Sequence, residues 1–213
     1  MSYGYIGDTS SSIKQQKKNA GVLSVSDVLD LESKGQLGGS LELLTSQTVT
    51  SMTSAIDFTE VFTDRYDVYY LESKNVQSDT TGYTVSIQFY ESGVLESAGV
   101  YQYGHQSGRA NGTFGEGRST TESWIHIGAD TDNTTANSSN SYTYIYNPTN
   151  SSKYTFLTQQ ATGQFGTTGA IRFGGGVLPQ ASAVNGFRLR STYTTGQITG
   201  EFLLYGVKQI WVT

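Results

Sequence analysis

Histidine is the side chain on which most triads and many metal sites depend, and this chain has two, His105 and His126. A hydrolytic triad requires a histidine between a nucleophile and an orienting acid. The residues around His105 predict a loop, whereas His126 shares a predicted strand face with Trp124. The two histidines therefore fall on different elements, and a structural role is favoured over catalysis or metal binding for both.

Acidic side chains suggest a second kind of chemistry, because glycoside hydrolysis needs two carboxylates across a cleft. Asp57, Glu60, Asp64 and Asp67 gather around a predicted strand end and turn, where solvated acids are common. The DTDN segment at 130–133 has the alternating oxygen ligands of half a calcium loop. It lacks the downstream Glu and the fixed Gly of an EF-hand. A surface loop is the favoured interpretation, and whether this segment binds a cation stays open.

Glycine-rich segments are the remaining candidates for a ligand site. The run Gly174–Gly176 lacks the Lys-Ser/Thr of a phosphate loop, so we expect a bulge or a tight corner between sheets. The segment 115–117 predicts a plain loop. The chain has no cysteine, which excludes disulfides, thiolate metal sites and a cysteine nucleophile. The sequence therefore predicts a protein that is not an enzyme and uses no cofactor.

Three tyrosines, Tyr142, Tyr144 and Tyr146, alternate along a predicted strand, so their rings project from one side of it. If that side is exposed, the rings can stack on sugars or seal a subunit contact, because tyrosine offers apolar area with a polar tip. If it is buried, they belong to the core. Core or subunit contact is favoured over glycan binding, because the opposite side of the strand is an ambiguous mix of polar and apolar residues.

Two arginines, Arg188 and Arg190, also project together, opposite Phe187 and Leu189. We expect them to pair with acids such as Glu201 on a neighbouring strand. A ligand role for them is the minority interpretation.

The composition favours β-strands as the elements that position these residues. Only 15% of residues are charged, and the chain has 25 Gly, 15 Tyr and 9 Phe, which suit strands and turns. From residue 41 onward the apolar residues recur with period two. The predicted strands are 41–49, 55–62, 66–71, 83–89, 99–103, 123–127, 142–146, 153–157, 170–173, 187–192 and 198–207.

The spacing of these short strands predicts an all-β sandwich or barrel. The clearest strand, 83–89, places four apolar residues on one face and Thr84, Ser86 and Gln88 on the other, which is expected to be wet. A hairpin-like loop at 194–197 is expected to join the last two strands.

The first 40 residues differ from the rest in composition and charge. The first 20 residues are polar and would be disordered in isolation. Residues 1–23 hold Lys14, Lys17 and Lys18 against one acid, or +2, while the remainder holds 10 basic and 17 acidic residues, or −7. We therefore predict two parts, an N-terminal anchoring arm with a short helix at 1–40 and a β-sandwich at 41–213.

A short helix is predicted between Ser24, its N-cap, and Gly35, its stop. Such a helix is marginal in water unless its apolar stripe packs on something, and docking on its own sandwich or on a neighbouring subunit is equally expected. The attachment residues predicted in the arm and helix are Lys14, Lys17, Lys18, Val22, Leu23, Val25, Val28 and Leu29.

Net charge and hydropathy exclude two classes of partner. The net charge of −5, with no basic cluster after residue 20, argues against nucleic-acid binding. No stretch reaches the ~20 apolar residues of a membrane span, and the N-terminus lacks a signal-peptide pattern. The sequence thus predicts a soluble protein made in the cytoplasm.

Two stretches resemble known sequences. Residues 18–31 contain an "N-x-G-V-h-S-h-x-D" pattern that resembles a segment near the start of many tailed-bacteriophage virion proteins, including those of marine phages and cyanophages. Residues 187–192 and 196–207, with the pattern "G-x-I-x-G-x-h-x-L-Y-G", resemble the closing strands of jelly-roll modules in phage structural proteins.

This resemblance implies an antiparallel jelly-roll-like sandwich that forms a homo-oligomer, with a trimer expected, on the head or tail of the virion. Its arm would attach to capsid proteins or to a tail adaptor, and the sandwich would serve as head decoration or as a head fibre. A tail-fibre protein that recognises host surface glycan is the alternative. The resemblance carries over no catalytic residue.

Overall fold

The structure of the chain is a computed structural model that describes Leu29 and residues 40–134 and 136–208. These residues form two antiparallel β-sheets packed as a sandwich, which confirms the predicted fold class. Contacts divide the chain into two units, Met1–Ser40 and Leu41–Thr213, and the sandwich lies in the second. The predicted arm and short helix lie outside the described residues, apart from Leu29, which is helical.

The sandwich has thirteen strands in the described part of the chain. They are β1 (Leu41–Thr53), β2 (Ile56–Phe58), β3 (Val68–Ser78), β4 (Val85–Glu91), β5 (Val94–Leu95), β6 (Tyr101–Arg109), β7 (Phe114–Glu122), β8 (Ile125–His126), β9 (Ser139–Tyr146), β10 (Thr155–Phe165), β11 (Thr168–Leu178), β12 (Val184–Ser191) and β13 (Ile198–Val207).

The strand order shows a jelly roll with an extension. The large sheet runs β1-β13-β3-β9-β10-β11-β6-β7, and the small sheet runs β2-β12-β4-β5 with β8 also paired to β4. The antiparallel pairs β1/β13, β2/β12, β3/β9 and β4/β5 alternate between the two sheets, as in a two-stranded ribbon wound into a jelly roll. The other four strands, β10, β11, β6 and β7, widen the large sheet to eight.

Aromatic residues from both sheets fill the core. Phe187 stacks on Phe58 with ring centroids 4.6 Å apart, and Phe62 meets the ring of Tyr69 edge-on at 4.6 Å. The buried hydroxyl of Tyr101 accepts a hydrogen bond from the backbone N–H of Phe89 at 2.8 Å and donates to a backbone carbonyl. The large apolar side chains therefore bury their area without leaving this hydroxyl unpaired.

The prediction that the polar face of the strand at 83–89 is exposed to water is wrong. Thr84, Ser86 and Gln88 are as buried as their apolar neighbours. Ser86 donates to the carbonyl of Arg190, and the amide of Gln88 donates to the carbonyl of Ser123, at 3.1 and 2.9 Å. Neighbouring segments cover this side of β4, and these hydrogen bonds offset the cost of burying polar groups.

Two predicted loops and one predicted corner are strands. His105 lies within β6, the segment 115–117 within β7, and the glycine run within β11. A Cβ on Gly174 would stand 2.3 Å from the carbonyl oxygen of Gly104 on β6, so close approach of the two strands requires glycine there.

The loop at 194–197 does not close a hairpin. It connects β12 in the small sheet to β13 in the large sheet, and these two strands are not paired. Sequential strands of a jelly roll cross between sheets, and a short turn-like loop can serve that crossing as well as it serves a hairpin.

Candidate functional site

The three predicted tyrosines lie on the outer face of the large sheet, which is the side that points away from the small sheet. Along β9 the rings of Tyr142, Tyr144 and Tyr146 are exposed or half-buried, and the residues between them are buried. The interpretation of these tyrosines as core residues is therefore wrong. Their exposure leaves subunit contact and glycan binding as the alternatives.

Tyr70 of β3 and Tyr205 of β13 join these rings to form a tyrosine cluster of five. The ring centroid of Tyr70 lies 5.2 Å from that of Tyr144 and 5.9 Å from that of Tyr205. The hydroxyl of Tyr142 donates to Gln160 on β10 at 2.6 Å. Burial among the neighbouring rings raises the pKa of Tyr70. The cluster is thus a packed ridge of aromatic rings on the outer face.

Aliphatic and phenylalanine side chains extend the exposed apolar area to both ends of the sheet. Leu41 and Leu43 of the edge strand β1 are exposed, Leu43 by 54%. At the opposite corner Phe114, Ile171 and Phe173 are exposed, Phe114 by 83%. Each of these five positions points to the same side as the tyrosine cluster, since paired residues on adjacent strands share a face.

An open groove of about 810 Å³ crosses the outer face beside the tyrosine cluster. Gly104 and Gly175, which are directly paired, form its floor, and Phe156 and Val177 line one side. Arg118 of β7 lies at its far end. The groove exists because two adjacent strands both have glycine at an outward position.

The charged residues of the outer face nearly neutralise one another. Lys74 pairs with Glu201 at 3.3 Å, and Arg118 pairs with Glu116. Glu72 is the remaining outward charge in the described strands, so the face carries −1. Residues 41–213 hold 9 basic and 14 acidic residues, or −5, so most of the negative charge lies elsewhere.

In the segment at 130–133, which resembles half a calcium loop, the two carboxylates bind N–H groups of the protein. Asp130 pairs with Arg172 at 2.6 Å and with Arg109 at 3.2 Å. Asp132 accepts hydrogen bonds from the side chain of Asn137 and from two backbone N–H groups, and these bonds lower the pKa of the Asp132 carboxyl. With both carboxylates occupied by cations or N–H groups, the geometry does not favour a calcium ion.

The two histidines, which the sequence placed on different elements, lie side by side. The ring centroids of His105 on β6 and His126 on β8 are 5.4 Å apart, and both rings contact Tyr103. Burial, followed by the positive charge of Arg172, lowers the pKa of His105 to about 4 and that of His126 to about 3. Both are therefore neutral at neutral pH.

The arrangement around the histidines does not form a metal centre. Among the residues that the structure describes, no group of three or more His, Cys, Asp or Glu side chains is placed to hold a metal ion. The Arg172 guanidinium beside the two rings also opposes the approach of a cation. The contact between the two histidines follows from sheet topology, and no feature of the sequence indicates it.

Arg188 pairs with an acid on a neighbouring strand, as predicted, but the acid is Asp57 and not Glu201. Arg188 forms a two-point ion pair with Asp57 of β2, at 2.7 and 2.9 Å, which lowers the pKa of Asp57. Arg190 lies over the ring of Trp124, 4.8 Å from its centroid. Neither arginine meets Glu201, because β12 and β13 belong to different sheets. The outer side of the small sheet is thus polar and internally paired.

Most of the predicted attachment residues, Lys14, Lys17, Lys18, Val22, Leu23, Val25 and Val28, lie outside the described residues. Leu29 is helical and exposed. In the described part of the chain, no helix has the length and apolar character needed to cross a membrane.

Comparison with known proteins found no family model, no curated protein and no solved structure that matches the chain. Fold and surface nevertheless define a class. The protein is a jelly-roll sandwich whose best-formed candidate site is a broad, exposed, largely apolar sheet face.

Proposed function

We propose that this chain is a non-enzymatic structural protein of a tailed-phage virion, made in the host cytoplasm and attached to the particle by residues 1–40. The sandwich contacts neighbouring subunits through the outer face of the large sheet and serves as head decoration or as a head fibre. The observation that carries the proposal is the run of exposed apolar side chains from Leu43 at one edge of the sheet to Phe114 at the other.

A protein partner fits this face better than a sugar does. Leu41, Leu43 and Ile171 offer no hydrogen-bonding group to sugar hydroxyls, and they gain free energy when another apolar surface covers them. Contiguous exposed apolar patches on soluble proteins mark interaction sites. The resemblance of residues 18–31, 187–192 and 196–207 to phage virion proteins supports placing that interaction in a particle.

Deleting residues 1–22 should abolish incorporation into particles while the sandwich remains folded. The measurement is the occupancy of the truncated protein in purified particles, with circular dichroism as the check on folding. A full-length variant carrying Lys14→Gln, Lys17→Gln and Lys18→Gln separates the charge of the arm from its length. Incorporation of the truncated protein at full occupancy would contradict the proposed attachment.

A second candidate function is recognition of host surface glycan by a tail-fibre protein. The exposure of Tyr142, Tyr144 and Tyr146, with Thr158 and Gln160 beside them on β10, favours it, because rings flanked by hydroxyl and amide groups suit sugars.

For this candidate, Tyr144→Ala should weaken binding of the purified protein to host cells about two- to tenfold, since one aromatic contact contributes roughly 0.5–1.5 kcal/mol. Tyr193→Ala, which removes an exposed tyrosine outside the large sheet, is the matched control. An absence of binding by the unaltered oligomer would exclude this candidate.

A further inference from the structure

We propose that a second copy of this chain covers the outer face of the large sheet, in a two-fold, face-to-face contact. The tyrosine cluster of each copy enters the groove of the other. The proposal rests on the assignment of the outer face as a contact surface and adds the identity of the occupant and the geometry of the contact.

The register of the strands places one continuous row of outward residues across all eight strands. On one half of the sheet the row consists of large side chains, Leu43, Tyr205, Tyr70 and Tyr144. On the other half it consists of Thr158, Gly175, Gly104 and Arg118. Half of this row is a ridge, and the other half crosses the floor of the groove.

Such a row is complementary to itself under a two-fold rotation. An axis parallel to the strands, between β9 and β10, exchanges the two halves and lays β13 of one copy over β6 of the other, and β3 over β11. It brings Tyr205 and Tyr70 opposite the paired glycines Gly104 and Gly175. In an isologous contact the same ridge-to-groove packing then forms twice.

The size of the face matches the area that a stable dimer needs. Eight strands about 4.8 Å apart span about 34 Å, and central strands of about eight to eleven residues span about 26–36 Å. The face thus measures at least about 900 Å², and a standard stable interface buries about 800 Å² on each partner. Overlap of most of the two faces therefore suffices.

The charges also permit two copies to meet. The face carries −1 because the pairs Lys74–Glu201 and Glu116–Arg118 neutralise themselves. Asp57, on the outer side of the small sheet, lies away from this face when the large sheets pack together. A face with a net charge this small has little like-charge repulsion to overcome, in contrast to a body with net −5.

Filling the groove should separate the two copies without unfolding either. A Cβ on Gly104 meets no heavy atom within 4 Å, so a side chain fits there in the single chain. Sedimentation velocity of the full chain should show a dimer for the unaltered protein and at least a tenfold weaker association for Gly104→Leu. Gly104→Ala, with the same change to the backbone but little added volume, is the matched control and should associate nearly normally.

A volume exchange makes the test specific to this geometry. Tyr205→Ala should also weaken the dimer, whereas Tyr193→Ala should not. The double variant Gly104→Leu with Tyr205→Ala should dimerise better than either single variant, because the added leucine occupies the space that the tyrosine ring vacates.

Three outcomes would overturn the proposal. One is a monomeric unaltered protein, as expected if residues 1–40 of the same chain or a different protein cover the face. Another is a trimer, the oligomer that the resemblance to phage virion proteins implies, since an isologous contact of this kind gives a dimer. The third is a double variant weaker than both single variants. Any of these leaves the particle-incorporation test unaffected, so failure of the pairing and failure of the virion assignment are distinguishable.

Discussion

Replacing Asp130 by alanine should destabilise the sandwich by about 3–5 kcal/mol, because it leaves a buried positive charge without its partner. The side chain of Arg172 is 8% exposed and pairs with Asp130 at 2.6 Å. Its other hydrogen bond, to the carbonyl of Gly128, cannot neutralise the charge. The measurement is the free energy of unfolding in urea at neutral pH.

Arg65→Ala is the matched control for that change. The side chain of Arg65 lies outside the strands of the large sheet, is 54% exposed and pairs with Glu42. Exposed ion pairs contribute about 0–1 kcal/mol, so its loss should change the free energy of unfolding by less than about 1 kcal/mol. Equal effects of the two substitutions would show that the pair at Asp130 is not buried as described.

Lowering the pH from 7 to 5 should destabilise the sandwich by about 2–3 kcal/mol through its two histidines. The folded state holds the pKa of His105 at about 4 and that of His126 at about 3, below the ordinary value of 6.5. As the pH falls below 6.5, the unfolded chain binds protons that the folded chain does not, and stability decreases. The magnitude allows for the partial exposure of His105.

The groups that face these rings are Tyr103, Arg172 and Asp130, and burial followed by the Arg172 charge sets the direction of the pKa shift. Carboxyls with lowered pKa, such as Asp57, lose their stabilising contribution only near or below their ordinary pKa of 3.8. The interval from pH 7 to pH 5 therefore reports on the histidines.

The free energy of unfolding in urea, measured at both pH values, checks this prediction. The double variant His105→Gln with His126→Gln should lose most of the dependence on pH. If the unaltered protein is as stable at pH 5 as at pH 7, the two histidines are not buried in the neutral form.

Local patterns in the sequence are sufficient to predict most of the strands but not the side of each strand that faces the core. The alternation of Tyr142, Tyr144 and Tyr146 indicates one shared face, yet period two is identical for a core face and a solvent face. The choice depends on which side the second sheet covers. The same ambiguity explains the wrong prediction for Ser86, whose polar face is covered by a neighbouring segment.

Glycine-rich strands are a second feature that local sequence patterns do not predict. β7 contains Gly115 and Gly117 on either side of Glu116, so its β-propensity is low, and it is a strand only because β6 offers a partner. The run Gly174–Gly176 has no periodicity to detect. The groove of the outer face, formed by glycines of two strands, is consequently visible only once the register is known.

The proposed contact gives a physical reason for the apolar side chains of the outer face, which a solitary domain would not keep exposed to water. Leucine, isoleucine and phenylalanine at outward positions make the protein prone to association, and a broad sheet face multiplies that tendency. When a partner covers these side chains, their burial contributes favourable free energy to binding. The polar, internally paired outer side of the small sheet is then the side suited to solvent.

A density map of the intact particle, at a resolution that separates the two sheets of each sandwich, tests the central claim most directly. The account predicts density packed against the outer face of the large sheet, over Leu43, Tyr70 and Phe114, with the small sheet turned to solvent. A map in which that face is open to solvent and the contacts run through the small sheet, or in which the chain has no density at all, would contradict it.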